Sequence, residues 1–427
     1  LKKVLQPDKV LQPDYVSKFA CIASECEDSC CCGWRIAFDE ETYQKYQDQI
    51  RAGRGGLFSG KMTREDILPV DGDYAEVVLL PENTCPFLTD KKLCGIQEEY
   101  GESYLSVTCG VFPRNYSMVN GRLELALHLS CPHAARLALL DPEPMRFSPA
   151  DLKESSWLGR IPALCTADVD YPDRIYPYFE DVRAFVISLL QNRDYCFEDR
   201  LVILGRFCND LDLRHDHPKE EILQLIGEYA RVIDADGFHE FIGGVPNQPA
   251  AMLKTLMILL EYRLKTGVTG KRFLECVDRC KQGFRFTMEM PEEELSANYV
   301  KIRTGRYDPF MAEHEYILEN YFVNAAFQSL FPFGPQMSTY GKNVSLVQRT
   351  VFTEYMLLAL QYAMLKNLLT GMAGCAQEPF GTQEVLKLIQ SFDKNVGRDI
   401  PYLQRLLQFF EQNKMLNVAC AAMLIKN

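Results

Sequence analysis

Nine of the chain's sixteen cysteines lie before residue 132, and five of those fall between Cys21 and Cys32. Any fold of this region must find partners for that many thiols in a short stretch of chain. Sixteen cysteines in 427 residues are too few for a scaffold held throughout by disulfides. Leu1 to Phe19 mixes Lys, Gln, Asp and Pro without an apolar run, so no signal peptide is read there. The expectation is a cytoplasmic protein, where thiols stay reduced and clustered cysteines bind metal.

The spacing is Cys21-x4-Cys26-x3-Cys30-Cys31-Cys32-Gly33-Trp34, then Cys85-Pro86-Phe87-Leu88-x5-Cys94, then Cys109-x2-Phe112-Pro113-Arg114, then Cys131-Pro132. Thiolates are soft ligands suited to iron–sulfur clusters or to zinc. Short spacings let one backbone turn present several sulfurs to one centre, and distant cysteines complete the shell. On an extended backbone Cys30 and Cys31 point to opposite sides, so they serve two centres more easily than one. The residues alone leave both metals, and one or two centres, open. His128 and His133 flank Cys131, but with thiolates at hand each reads first as a hydrogen-bonded or surface histidine. Cys165, Cys196, Cys208, Cys276, Cys280, Cys375 and Cys420 are scattered on apolar helical faces and read as small core residues.

Composition is otherwise ordinary, with 47% hydrophobic and 24% charged residues, which excludes a disordered or fibrous chain. The net charge of −12 divides into about −6 on each side of residue 150. Neither half has the basic excess that nucleic acids or anionic membranes demand, so no nucleic-acid partner is expected. No membrane insertion is expected either, because no run approaches the ~18 apolar residues of a span. The best candidate, Tyr355 to Leu369, is broken by Gln361, Lys366 and Asn367.

Two units are expected, divided near Asp141-Pro142-Glu143-Pro144, where prolines interrupt regular structure. Residues 15–145 read as a small irregular α+β cysteine-rich domain. Trp34 to Phe38 and Ala75 to Leu80 suit short strands, and Asp39 suits the cap of a helix running to about Arg51. Asn120-Gly121 between Asn115–Val119 and Arg122–Leu129 marks a two-residue hairpin. From Tyr176 the pattern turns helical, as in Phe179, Val182, Phe185, Val186 and Leu189. Residues 146–427 therefore read as an all-helical domain, and the fold class is mainly α.

The N-terminal third resembles cysteine-cluster proteins described as zinc- or iron-chelating domains. The combination Cys-x4-Cys-x3-Cys-Cys-x-Gly-Trp, Cys-Pro-x-Leu, Thr-Cys-x-x-Phe-Pro-Arg and Ser-Cys-Pro more closely resembles flagellin lysine-N-methylases. These motifs cover residues 19 to 135. One further stretch, Glu319-Asn320-Tyr321-Phe322-Val323-Asn324 running into Leu330-Phe331-Pro332, resembles the same family. The resemblance implies a protein-lysine N-methyltransferase that takes its methyl group from S-adenosylmethionine, contains a 4Fe-4S cluster (one or two) and acts on flagellin. It implies Cys21, Cys26, Cys30, Cys31, Cys85, Cys94, Cys109 and Cys131 as metal ligands, with zinc the alternative metal. It does not extend to Cys32.

The usual ways of holding such a donor are missing from the sequence. No G-x-G-x-x-G follows a strand, and Gly33 stands where a Cys-x3-Cys-x2-Cys pattern needs its third cysteine. Methylating a lysine needs a deprotonated amine, a group to take its proton and in-line alignment with the methyl carbon. Tyr321 and Glu319 are the catalytic candidates. Trp34 and Arg114, beside the cysteines, are the candidates for binding the donor by stacking and through its carboxylate. The plainer readings make Tyr321 a core aromatic, Trp34 a packing residue and Arg114 the partner of a local acid. A non-catalytic metal-held binding module, or a redox or radical enzyme of other specificity, fits the cysteines too.

Replacing Cys30 or Cys31 by Ser is expected to remove metal and destabilise residues 19–135, because metal binding there contributes folding free energy. Cys420→Ser should leave metal content unchanged. Metal analysis of the purified variants checks the division, and equal losses would show it to be wrong.

Overall fold

The computed structural model describes residues 9–65, 73–152, 163–164, 178–214, 219–246, 248–268, 270–332, 350–375 and 380–427. Cys165 lies outside the described residues. The N-terminal part is made of short pieces: β1 (Lys9–Pro13), β2 (Ala37–Phe38), α1 (Glu40–Gln49), β3 (Met62–Thr63) and β4 (Ala75–Val77). Asp39 caps α1, its carboxylate accepting from the Thr42 amide at 2.8 Å, as a first-turn donor without a helical partner requires. Next come α2 (Gly95–Tyr100), α3 (Val107–Val111), β5 (Arg114–Val119), β6 (Arg122–Leu127) and α4 (Pro132–Leu139). Asn120 and Gly121 have φ of 49° and 80°, so the β5–β6 hairpin turns at the dipeptide that signals it.

β2, β4 and β3 form a small antiparallel sheet. A second, mixed sheet has the order β7-β1-β6-β5-β8, where β7 is Phe147–Asp151 and β8 is Ala163–Leu164. These last two strands lie beyond residue 146, where helices alone were expected. β7 pairs antiparallel with β1 at the sheet edge, a position that tolerates its Pro149.

The remaining elements are helices. α5 (Phe179–Leu190), α6 (Phe197–Asp212), α7 (Lys219–Asp234), α8 (His239–Gly243) and α9 (Pro249–Lys265) come first. α10 (Lys271–Phe284), α11 (Glu292–Ile302), α12 (Asp308–His314) and α13 (Tyr316–Gln328) follow. α14 (Val351–Gly374), α15 (Thr382–Phe392), α16 (Ile400–Gln412) and α17 (Val418–Lys426) complete the set. The protein is mainly α with a small α+β part.

Packing divides the chain into two main cores. One joins Ile36, Phe38, Tyr46, Phe58, Val77, Phe87 and Ile96, with Tyr46 stacked on Phe58 at 4.4 Å. The other joins β1, β6 and α4 to the helices from α5 onward. α14 is buried along nearly its whole length, which is why it is apolar all round and has no single stripe. Its one buried cation, Lys366, donates to the Ile425 carbonyl and pairs with Glu198, both at 2.8 Å. Among the described residues no helix is long and apolar enough to cross a membrane.

α10 and α14 meet at two glycines. A Cβ on Gly283 would stand 1.8 Å from the Gly371 carbonyl oxygen, and one on Gly371 would stand 2.4 Å from Cys280 Sγ. Cys280 is therefore a small spacer at this helix contact, while Cys276 is buried beside Ser391 of α15. Gly283→Ala should cost about 3 kcal/mol or more by forcing the helices apart. Chemical denaturation of the variant measures the loss.

Candidate functional site

The cysteine loop from Cys26 to Cys32 is held by local hydrogen bonds. Ser29 accepts from the Cys31 amide at 3.1 Å, and Trp34 Nε1 donates to the Cys30 carbonyl at 2.6 Å. Two backbone bonds at 2.8 and 2.9 Å, Cys85 N to Cys31 O and Gly33 N to Asn83 O, lay the loop against the segment carrying Cys85. Cys94 and Cys131 stand just before α2 and α4. The first amides of those helices point at their sulfurs and offset part of the burial that disfavours thiolate. Cys109 lies within α3, whose Ser106 cap accepts from the Cys109 amide at 3.3 Å.

All nine thiols are free. Burial pushes Cys85 and Cys131 up to about 11 and Cys109 up to about 12. Neighbouring thiols raise each of these further: Cys94, Cys32 and Cys30 at Cys85, Cys94, Cys85 and Cys30 at Cys109, and Cys26 and Cys30 at Cys131. Cys31 donates to Cys30, which favours thiolate at Cys30 and holds Cys31 protonated. Among the described residues no three Cys, His, Asp or Glu side chains stand at metal-binding spacing. The donor set still suits a soft metal, because a cation among these neighbouring sulfurs stabilises the thiolates that burial and crowding disfavour. Cys26, Cys30, Cys31, Cys85, Cys94, Cys109 and Cys131 would hold it. Cys21, the remaining ligand that the resemblance implies, is exposed, as Cys30 is.

The histidines have other partners. His128 is half-buried, desolvation lowering its pKa well below the usual imidazole value, and it is hydrogen-bonded to Gln328. His133 packs its ring against Phe19. Cys196 is exposed ahead of α6, so its expected place in a core is corrected. Cys208, Cys276, Cys280, Cys375 and Cys420 are buried.

Beside the cysteine loop lies an open cavity of about 400 Å³, lined by Trp34, Arg35, Glu76, Val77, Leu79 and Asn83. Arg35 pairs with Asp73 at 2.7 Å and with Glu76. Its Nη2 is buried without a partner among the described residues. Trp34 is therefore in a wall of this cavity. Arg114 is not: its guanidinium lies 5.6 Å from the Phe19 ring centre. Arg35 and Glu76 are the charged groups at the cavity, and nothing in their spacing marked them beforehand.

The stretch Glu319 to Asn324 lies on α13, buried in the helical core. Glu319 is 1% exposed and accepts from Arg193 Nε and Nη2 and from Arg200 Nη1, at 2.6 to 3.3 Å. Those contacts use the carboxylate's acceptor positions, so Glu319 is an anchor and is withdrawn as a proton acceptor. Asn320 donates to the Asp141 carbonyl at 2.8 Å, and Asn324 accepts from Tyr15 at 2.6 Å. Tyr321 is 2% exposed, its hydroxyl 3.4 Å from Gln361 Oε1, and burial raises its pKa well above the phenol value. It does not line the Trp34 cavity.

A mainly helical protein with a cysteine cluster set against a small open cavity is what the geometry defines. The family model of the FliB lysine N-methylase C-terminal domain matches residues 183–424, and the chain belongs to that family. It is similar to lysine-N-methylases of Salmonella typhimurium and Salmonella choleraesuis, 30% identical over 141 residues in each case, covering 33% of this chain. The chain spans about a third of the length of these curated relatives, 34% of each. It is also similar to the flagellar biosynthetic protein FliU of Salmonella muenchen, 31% identical over 138 residues, 32% of this chain and 80% of that protein. No solved structure matches the chain.

Removing Glu319 leaves Arg200, itself 1% exposed, with its strongest partner gone. Glu319→Ala should therefore cost about 3–5 kcal/mol of stability, read from urea unfolding.

Proposed function

We propose that the protein is a cytoplasmic lysine N-methyltransferase acting on flagellin, with S-adenosylmethionine as methyl donor and an iron–sulfur centre held by the N-terminal cysteines. The observation that carries the reading is the Trp34 cavity beside the cysteine loop in a chain of the lysine N-methylase family. The substrate class is supported by the names of its relatives, a lysine-N-methylase and a flagellar biosynthetic protein.

The residues around the cavity suit a sulfonium donor. The indole of Trp34 offers a face for a purine or for a cation. The Glu76 carboxylate attracts a sulfonium, and Arg35 Nη2, buried without a partner among the described residues, is a donor for the ligand's carboxylate. In the transfer, the lysine nitrogen forms a bond to the methyl carbon while the carbon–sulfur bond breaks and its electron pair stays on sulfur. The amine sheds its proton to water entering the open cavity, since Tyr321 is buried in the helical core and does not line it. An iron–sulfur centre, when bound, supplies one-electron chemistry or a rigid cross-link of the cysteine loops.

The test is anaerobic purification with iron and sulfide analysis, then incubation with S-adenosylmethionine and flagellin and measurement of intact mass. Steps of one methyl group on flagellin support the reading, and an unmodified flagellin with loaded enzyme refutes it. Trp34→Ala should weaken donor binding about tenfold or more, roughly 1.4 kcal/mol, with iron content unchanged. Unaltered affinity in calorimetry would place the donor elsewhere.

A further inference from the structure

Gln390, Asp393 and Lys394 share one face of α15 and the π-helical turn Asp393–Gly397 that continues it, since residues three and four apart are neighbours on a helix. That face meets two cysteine loops about a hundred residues apart in sequence. Gln390 Nε2 donates to Asp28 Oδ2 at 2.8 Å and to the Ser130 carbonyl at 2.9 Å. Its Oε1 accepts from Arg272 Nε at 3.1 Å, which fixes the orientation of the amide. Lys394 Nζ donates to Asp28 Oδ2 and to the Ser29 carbonyl, both at 3.0 Å. Asp393 takes a hydrogen bond from the Ser130 backbone. Asp28 and Ser29 lead into Cys30, and Ser130 precedes Cys131.

Gln390 is 1% exposed and the Lys394 side chain 11%, so this is a dry contact and not a surface ion pair of negligible worth. The helical region thus holds the main chain next to two cysteines of the cluster and places an ammonium beside them. Groups that orient ligands from behind, and charges near the sulfurs, set both the retention and the potential of thiolate-held metals.

We propose that Gln390 and Lys394 are positioning residues for the metal centre, clipping the Cys30 and Cys131 loops together and contributing positive charge to it. The inference rests on the reading that the cysteines hold a metal. It adds that the centre is completed by the helical region and is not the property of the cysteine-rich segment alone.

The test uses the full chain, purified anaerobically, with Lys394→Met, which keeps the buried stem, and Lys394→Arg, which keeps the charge. Metal release to a chelator should be about tenfold faster in Lys394→Met and close to wild type in Lys394→Arg. The midpoint potential of an iron–sulfur centre should shift negative in Lys394→Met alone, because a nearby cation stabilises the more negative reduced state. A contact that only holds the fold together would change thermal stability and leave the potential where it was, and that result overturns the inference. So does a loaded Lys394→Met protein that releases metal at the wild-type rate. A chain that purifies without metal overturns the metal reading and this inference with it, whereas the former results overturn this inference alone. If Lys394→Met fails to fold, Asp28→Asn, which removes the negative charge at constant shape and leaves the ammonium uncompensated, should shift the midpoint potential positive; an unchanged potential would overturn the inference.

Discussion

The buried polar row on α13 is the constraint on which the assembly depends. Glu319, Asn320 and Asn324 are each 1% exposed, and a buried polar group left without a partner costs about 1–3 kcal/mol. Their partners come from far along the chain: Arg193 and Arg200 for Glu319, the Asp141 carbonyl for Asn320, and Tyr15 with the Leu127 carbonyl for Asn324. The helix can only be buried if the N-terminal sheet and α6 arrive in the right places. A second pair, Glu124 with Arg183 at 2.7 and 2.8 Å, joins β6 to α5 in the same way. The family stretch on α13 is thus a joint between the parts of the molecule.

The cysteine cluster imposes a different demand. Its thiols raise one another's pKa and so stay protonated by themselves, whereas a cation among them would stabilise the thiolates. Its loops are pinned through backbone bonds and not by an extensive apolar core. The small core around Tyr46 and Phe58 supports the Cys85, Cys94 and Cys109 side, while the Cys30 and Cys131 side rests against α15. That arrangement puts the cysteine cluster at a boundary between the cysteine-rich segment and the helical body.

A site at such a boundary suits chemistry on another protein. The helical body supplies stiffness, through a nearly fully buried α14 and the tight α10–α14 contact. The cysteine-rich segment supplies an open cavity with one aromatic and two charged residues in its wall, Trp34, Arg35 and Glu76. Precise placement of a methyl donor against a lysine needs both, since alignment is a large part of the rate of a transfer between two bound molecules.

What the sequence by itself determined was local. The Asp39 cap, the Asn120-Gly121 turn and the helical stripe of α5 are set by residues a few positions apart, so periodicity and turn chemistry suffice to find them. The cysteine motifs belong here too, because Cys-Cys and Cys-x3-Cys spacing is itself the signal. Only the tertiary structure decided which polar residues are structural and which face a cavity. Glu319 stands in the sequence like any helical acid, and its two arginines lie more than a hundred residues away. Arg35 and Glu76 meet only because β2 and β4 pair, and Lys394 reaches Asp28 across more than three hundred residues. Ion pairs and hydrogen bonds between distant segments leave no periodic trace along the chain. Their partners are chosen by packing, which no local pattern encodes.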